Sequence, residues 1–478
     1  MPDAASRAEP TPAAPRRALG FRDLVLYYLV TGISLRWLSY GAANGPSAVV
    51  VWIGAWLLFA FPLMISVLQL SCRYPQEGGL YLWSKKAFGE FPAFMAGWTY
   101  WTSNLPYFPT VLYFAAGSSL YLGGRRAGEA GANPAFFVAF SIAALLLITV
   151  LNLVGLEFGK WLNNLGAAGM WIPILLLLVL AGTTAYRWGS ATQFTAASFV
   201  PQLGLKNMVF WSVIAFTICG CEAASFMGDE IEDPRRNVPR ALITGSLLST
   251  FGYMIGTLAV LVILPQQTVD VLEGLLQAVA EAGAHLHFAG VLPLVAALVS
   301  VSNIGAAAAF LAACSRVPFV AGLDRYLPSA FGRLHPRWGT PHVSLWTQFV
   351  AAAFFVLLGQ AGTSVKGAYD VLVSMTVIST FIPYLFLFAA MVRLARRPYD
   401  PQDASMFRLP IGPNGTAAIA AVGFATTLAC IVLSVLPPAD EPDKPLAVMK
   451  IVGLNLLLLA AGAAAYSRGA RRAHAALP

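Results

Sequence analysis

The stretch WSVIAFTICGCEAASFMGDEIEDPRRNVPRA, residues 211–241, decides how the rest of the chain is read. It begins as an apolar run suited to a membrane helix and loosens at Cys219-Gly220-Cys221. It then meets a carboxylate at Glu222, resumes to Met227 and ends in a mixed-charge segment holding Pro234 and Pro239. A glutamate at bilayer depth costs about 2.5 to 3.5 kcal/mol, so Glu222 is expected to face a protein or water-filled interior and not lipid. Non-helical backbone inside a membrane is tolerated only where it lines a cavity or is buried in protein. A broken helix beside a buried charge therefore reads as a site near the middle of the bilayer.

The surroundings fit a membrane chain. Of 478 residues, 58% are hydrophobic and 11% charged, against roughly 45–50% and 25% in soluble domains. Scanning for apolar runs of about 20 residues yields about twelve spans, at 21–43, 49–71, 91–122, 134–154, 161–185, 209–227, 241–264, 291–322, 342–358, 371–394, 417–436 and 449–466. With the N-terminus placed inside, Arg73, Lys85, Lys86, Arg235, Arg236, Arg240, Arg393, Arg396, Arg397 and other basic residues fall on the cytoplasmic side. Only Arg125, Arg126, Arg187, Lys206, Lys366, Lys444 and Lys450 fall outside. That bias places both termini in the cytoplasm, and the net charge of +8 is a topology signal with no footprint for nucleic acid. Residues 1–20 read as a disordered tail and not as a cleaved leader, because they lack an apolar core.

Several chemistries are disfavoured by what the chain lacks. There is no GxxxxGK[ST] loop, no nucleophile and base in a recognisable arrangement, and no metal-ligand spacing. Cys72, Cys219, Cys221, Cys314 and Cys430 lie in or beside apolar spans, where small packing residues are the plain reading. An enzyme is therefore not expected, nor a cofactor or metal. Any work this protein does draws on an ion gradient or on exchange.

Phe216-x-x-x-Gly220-x-Glu222, followed by Asp229-Glu230-x-x-Asp233-Pro234-Arg235-Arg236-x-x-Pro239-Arg240-Ala241, resembles the sixth membrane helix of the amino acid-polyamine-organocation (APC) permeases. The resemblance runs from Gly32 to Leu334 and includes the Tyr74-Pro75 and Gly78-Gly79-x-Tyr81 elements after span two and the Ser315-Arg316-Val317-Pro318 end of span eight. It implies an all-α integral membrane fold of about 12 transmembrane helices, with a leucine-transporter-like 5+5 inverted repeat in which helices 1 and 6 are broken. On that division, 1–20 is the tail, 21–394 the ten-helix transport core, and 395–478 two peripheral helices with a cytoplasmic C-terminal tail. The implied activity is secondary active transport of an amino acid or related amine across the plasma membrane by alternating access, with proton coupling or exchange. A nutrient-sensing receptor of the same fold and a polyamine permease are the alternatives.

The resemblance also implies a site. Counting back from Gly45-Pro46, Thr31-Gly32-Ile33 falls where the family carries the small-Gly-Ile motif of its unwound first helix, whose free N–H groups hold a substrate carboxylate. This chain departs from the pattern with Val30 where a glycine is usual and Ser34 where an aromatic is common. A small-residue packing contact is the other reading of Thr31-Gly32. From helix 6 the resemblance adds Phe216, as an aromatic closing over the substrate, together with Cys219, Gly220 and Glu222. Arg36 either snorkels to the outer interface or pairs with Glu222 as a gating and coupling couple, since buried charges are tolerated chiefly when paired.

Further features have local readings. Leu80 to Ala87 reads as a short amphipathic piece at the inner surface, and Leu264 to Ala289 as an external connection containing a helical gate. The aromatics of GWTYWTSNLPYFP, residues 97–109, either line the substrate path or pack. Ser300, Ser302 and Asn303 are either part of a sodium site or interhelical hydrogen-bond partners. Lys160, at the mouth of span five, is assigned no coupling role.

Overall fold

Inside a bilayer each backbone amide has to be satisfied within its own segment, so an apolar run of bilayer length folds as a helix. The computed structural model obeys this rule. It describes residues 20–22, 24–25, 33–74, 78–126, 133–154, 156–220, 233–288, 290–323, 326–397, 411–437 and 443–475, which contain helices and no strand. In chain order the helices are α1 (Arg36–Ala43), α2 (Ala48–Ala55), α3 (Phe61–Arg73), α4 (Gly79–Phe88), α5 (Glu90–Thr102), α6 (Asn104–Leu120), α7 (Pro134–Val154), α8 (Leu156–Trp188), α9 (Leu205–Thr217), α10 (Pro234–Ile263), α11 (Gly274–His285), α12 (Val291–Leu323), α13 (His342–Gln360), α14 (Val365–Ala395), α15 (Gly412–Ser434) and α16 (Lys444–Ala475).

Among the described residues, 9 stretches are long and apolar enough to cross a membrane, α2 and α3 counting as one through Ala48–Arg73. The predicted spans that do not reappear as one uninterrupted helix are 21–43, 91–122 and 209–227. In the first, Ile33 and Ser34 are not helical and α1 begins only at Arg36. In the second, α5 and α6 meet at Ser103, one turn before Pro106, which has no N–H to return to the preceding turn. In the third, α9 stops at Thr217 and Gly220 takes φ +109°. Proline also marks the second span, where a π-helical turn, Trp56–Ala60, precedes Pro62, as expected where the helical ladder must skip a donor.

Burial sorts the helices. The most apolar stretch of α14 is 78% buried, against 33% for α7, α15 and α16. α14 therefore runs through the centre of the bundle, while the other three turn a side outward. On α13 the outward side is as apolar as the inward one: Val350, Phe354 and Leu357 are exposed while Leu345, Ala352 and Phe355 are buried. A helix apolar all round belongs in lipid or in the middle of a large core.

The short surface helices match their sequence readings. α4, expected over 80–87, spans Gly79–Phe88 between Gly78 (φ +121°) and Gly89 (φ +95°). It buries Leu80, Trp83 and Ala87 and leaves Lys85 and Lys86 exposed. Beside it, Arg73 at the end of α3 donates to the carbonyl oxygens of Leu394 and Arg397, closing the C-terminal end of α14. α11 lies within the predicted external connection and packs down on α1, with the Leu275 N–H donating to Ser39 Oγ at 2.9 Å.

α15 rests on the bundle through a glycine. A Cβ at Gly423 would stand 2.4 Å from Phe388 Cε1 on α14 and 2.8 Å from Pro62 Cβ on α3. Overpacking such a contact costs about 1–3 kcal/mol, so Gly423→Val should lower the melting temperature of the purified protein in detergent. Gly182→Ala on α8, where the added Cβ meets nothing within 4 Å, should leave the melt unchanged.

Candidate functional site

Two helix interruptions meet beside one tyrosine. The Ser34 amide, which lies outside α1, donates to Tyr253 Oη on α10 at 2.9 Å. This replaces the carbonyl partner that a continuous helix would have provided. On the other interruption, Cys219 N–H still reaches Phe216 O at 3.1 Å, but Gly220 at φ +109° turns the chain away. That conformation is open to glycine and strained for other residues. Cys219 and Arg36 both lie within Coulombic reach of the Tyr253 phenol. The Tyr253 ring is stacked on Trp52 of α2 at 4.6 Å with an interplanar angle of 1°. Close helix packing brings α10 up to α1: a Cβ at Gly256 would fall 2.6 Å from Leu38 Cδ2, and one at Gly252 3.5 Å from Ile33 Cδ1.

Arg36 opens α1 and is 1% exposed. Its guanidinium carbon lies 4.3 Å from the centroid of the Trp37 ring and 5.1 Å from that of Tyr107 on α6. The head group thus sits inside the bundle, which rules out snorkelling to the interface. Its Nε and Nη1 have no hydrogen-bond partner among the described residues.

From there toward the end of α1 an aromatic collar closes the bundle. Trp37 meets Phe216 of α9 edge-on at 5.6 Å and 84°, and Phe216 meets Phe381 of α14 at 6.3 Å and 88°. Tyr40 packs against Phe210 at 5.7 Å and Tyr369 at 6.3 Å, and its hydroxyl donates to Asp370 Oδ1 at 2.9 Å. Rings in edge-to-face contact add about 0.5–1.5 kcal/mol per pair beyond the area they bury. The collar therefore holds α1, α9 and α14 together, and α11 packs on α1 beside it.

Of the residues singled out from sequence, Ile33 (4% exposed), Arg36, Phe216 (8% exposed), Cys219 and Gly220 are described and gather around α1, α9 and α10. Thr31, Gly32, Cys221 and Glu222 lie outside the described residues. Ser300 Oγ donates to Ala115 O of α6 at 3.2 Å and to Ala296 O at 2.8 Å, and Asn303 Nδ2 to Val299 O at 2.8 Å. The first of these bonds joins α12 to α6, and the other two stay within α12. Sequence reasoning missed Tyr253, Tyr369 and Asp370. Asp370 did carry a signal, being a carboxylate at the very edge of the predicted span 371–394. The two tyrosines carried no signal that set them apart from other rings in apolar spans.

The fold is that of a multi-pass membrane transporter of the leucine-transporter-like class. The chain aligns with the crystal structure of MhsT in complex with L-phenylalanine at a TM-score of 0.60 and 14% identity, covering 86% of this chain and 97% of that one. Residues 25–455 match the family model described as amino acid permease, so the chain belongs to the amino acid permease family. An uncharacterized transporter of Legionella pneumophila is 26% identical over 90% of this chain and 92% of its own length. The serine/threonine exchanger of Bacillus subtilis is 24% identical over 82% and 87%. A probable agmatine/putrescine antiporter of Lactococcus lactis is 23% identical over 83% and 82%.

The Tyr40 hydroxyl joins the collar to α14 by a charge-assisted bond, the stronger kind of hydrogen bond. Tyr40→Phe keeps the ring and removes that bond. Hydrogen–deuterium exchange should then rise in residues 36–43 and 365–370 and stay level in α13. Unchanged exchange would show that ring packing alone keeps this face closed.

Proposed function

We propose that this permease carries an amino acid or related amine across the plasma membrane by alternating access, driven by a proton gradient or by exchange of one substrate for another. The observation that carries the proposal is the meeting of two helix interruptions at Tyr253 directly behind a closed aromatic collar. Interrupted helices expose N–H and C=O groups at membrane depth, and such groups bind polar cargo. A collar that shuts one side is one of the two gates that alternating access requires. The bias of basic residues supports an orientation with both termini in the cytoplasm, which puts the collar and α11 on the outer side. In this reading 21–394 form the transport core and 395–478 the peripheral helices.

The proposed roles follow from position. Thr31, Gly32 and Ile33 present backbone donors to the cargo's carboxylate, while Cys219, Gly220 and Glu222 contribute from the second interruption. Phe216 closes over the cargo as part of the collar. Glu222 is the proton-responsive group and pairs with Arg36 when the outer gate is shut. Proton movement through such a pair is governed by opposing effects, since burial raises a carboxylate's pKa and a neighbouring cation lowers it.

Uptake of labelled amino acids into proteoliposomes tests the whole reading, because a receptor binds cargo without moving it. Within that assay, Gly32→Leu should abolish substrate binding by filling the approach to the backbone donors. Phe216→Ala should weaken binding while Phe216→Trp largely preserves it, since a flat apolar lid is what excludes water. Equal activity of Phe216→Ala and wild type would reduce that ring to a packing role.

The gating couple has its own test. Removing one of two paired buried charges strands the other, whereas removing both relieves the penalty. Transport by the double variant Arg36→Gln with Glu222→Gln should therefore be less impaired than the sum of the single losses, and its pH profile should flatten. Strictly additive losses with an unchanged profile would make the two residues independent.

A further inference from the structure

We infer that Arg36 binds the cargo directly and sets its charge class, so that the preferred substrate is an amino acid with an anionic side chain and not a diamine. The inference rests on the transport reading above and adds to it the chemistry of what is carried. It begins from a buried cation. Arg36 is 1% exposed, and a guanidinium stays charged at any physiological pH, so its burial is not relieved by loss of a proton. The Trp37 and Tyr107 rings, at 4.3 and 5.1 Å, satisfy its faces through cation–π contact. They leave the N–H edges to find acceptors elsewhere, and Nε and Nη1 find none among the described residues.

The neighbourhood repeats the pattern. Trp52 Nε1, Thr250 Oγ1, Thr257 Oγ1 and Tyr369 Oη are also buried without a hydrogen-bond partner among the described residues. Trp52 is stacked on Tyr253, Thr250 and Thr257 flank Tyr253 by one turn on α10, and Tyr369 lies within Coulombic reach of Arg36. An indole and a guanidinium only donate, and a hydroxyl donates as readily as it accepts. The guanidinium and the indole thus offer N–H donors that no described residue takes up, the chemistry that complements a carboxylate, while Asp270 and Asp370 lie within Coulombic reach of Tyr369. Glu222, in its proposed gating role, occupies two of the five guanidinium N–H groups when it binds as a fork, which leaves donors for a second carboxylate. A cargo ammonium in the same place would meet like charge where water screens little.

Position gives the second part of the argument. Arg36 stands one turn beyond the interruption at Ile33 and Ser34, on the collar side. A cargo whose α-carboxylate is held by the donors of that interruption keeps its side chain free to reach the guanidinium. A side-chain carboxylate would take up the guanidinium N–H groups that have no partner among the described residues, whereas an aliphatic or cationic side chain leaves those groups unmet. The collar then closes over the bound carboxylate.

The test is competition binding on the purified full-length protein with L-glutamate, L-aspartate, L-serine, L-leucine, agmatine and putrescine, followed by uptake of whichever compounds bind. The acidic amino acids should compete at the lowest concentrations and the two amines should not compete. Arg36→Gln should weaken the acidic ligands by about tenfold or more, the loss expected for a charge-assisted bond, and should bring acidic and neutral ligands closer together. Arg36→Lys should retain part of the preference. If neutral amino acids or amines bind best, or if Arg36→Gln leaves glutamate affinity unchanged, the inference falls while the transport reading stands. If no compound binds or moves, both fall together. Should Arg36→Gln fail to fold, the ranking of ligands on the wild-type protein decides the matter alone.

Discussion

A peptide N–H deprived of its helical partner inside a bilayer has to find another acceptor, and in this protein the Ser34 amide finds the phenol of Tyr253. The rest of the site is arranged around that bond. It ties the non-helical residues Ile33 and Ser34 to α10 and sets the register of α1 against it. The second interruption, at Cys219 and Gly220, brings Cys219 within Coulombic reach of the same tyrosine. An unsatisfied amide at that depth would cost several kcal/mol, so an interruption without such a partner would be pulled back into helix. A glycine on α10 belongs to the same arrangement, because Gly256 lets Leu38 of α1 come closer than a Cβ would allow.

Once α1 is held against α10, its remaining face is committed to the collar. Every residue from Arg36 to Ala42 is buried, so this short helix has no lipid-facing side and behaves as a plug between α9, α10 and α14. The attachments are of two kinds. Trp37, Phe216 and Phe381 interlock as rings, an arrangement that tolerates small sliding movements. Tyr40 to Asp370 and Leu275 to Ser39 are directional hydrogen bonds, made or broken as units. In the proposed role as a gate, contacts of both kinds would let this face stay shut at little cost and open in a discrete step, because packed interfaces tend to have alternative arrangements and not a continuum.

Charge inside the bundle follows the same economy. Asp370 is held by the Tyr40 hydroxyl, and Lys450 on α16 donates to the carbonyl oxygens of Gly359 and Ala361 at the end of α13. In each case an ionised group at a helix end serves a neighbouring helix. Arg36 differs because its nearest partners are ring faces, which are good neighbours for a cation and poor substitutes for an anion. That difference sets Arg36 apart from the other two charges and motivates the cargo role proposed for it.

Much of this was legible in the linear chain. Membrane helices are local objects, since lipid requires each to satisfy its own amides, and so the apolar runs 134–154, 291–322 and 342–358 reappear as α7, α12 and α13 within a residue or two at most ends. The break after Thr217, the surface helix after Gly78 and the helical connection before α12 were equally readable, because glycine, proline and polar residues punctuate apolar runs. The site was only half visible. Phe216, Cys219, Gly220 and Ile33 were singled out by the resemblance to the permeases, and Arg36 by its charge in an apolar span. Tyr253 did not, because its role is to accept a bond from a residue 219 positions away. The Tyr40 to Asp370 bond, across 330 positions, was likewise invisible. A tyrosine in an apolar helix looks alike in sequence whether it faces lipid headgroups, a packed core or a freed amide. Only the assembly of separate helices determines which of these it meets, and the same assembly carried Arg36 away from the interface and into a cage of rings.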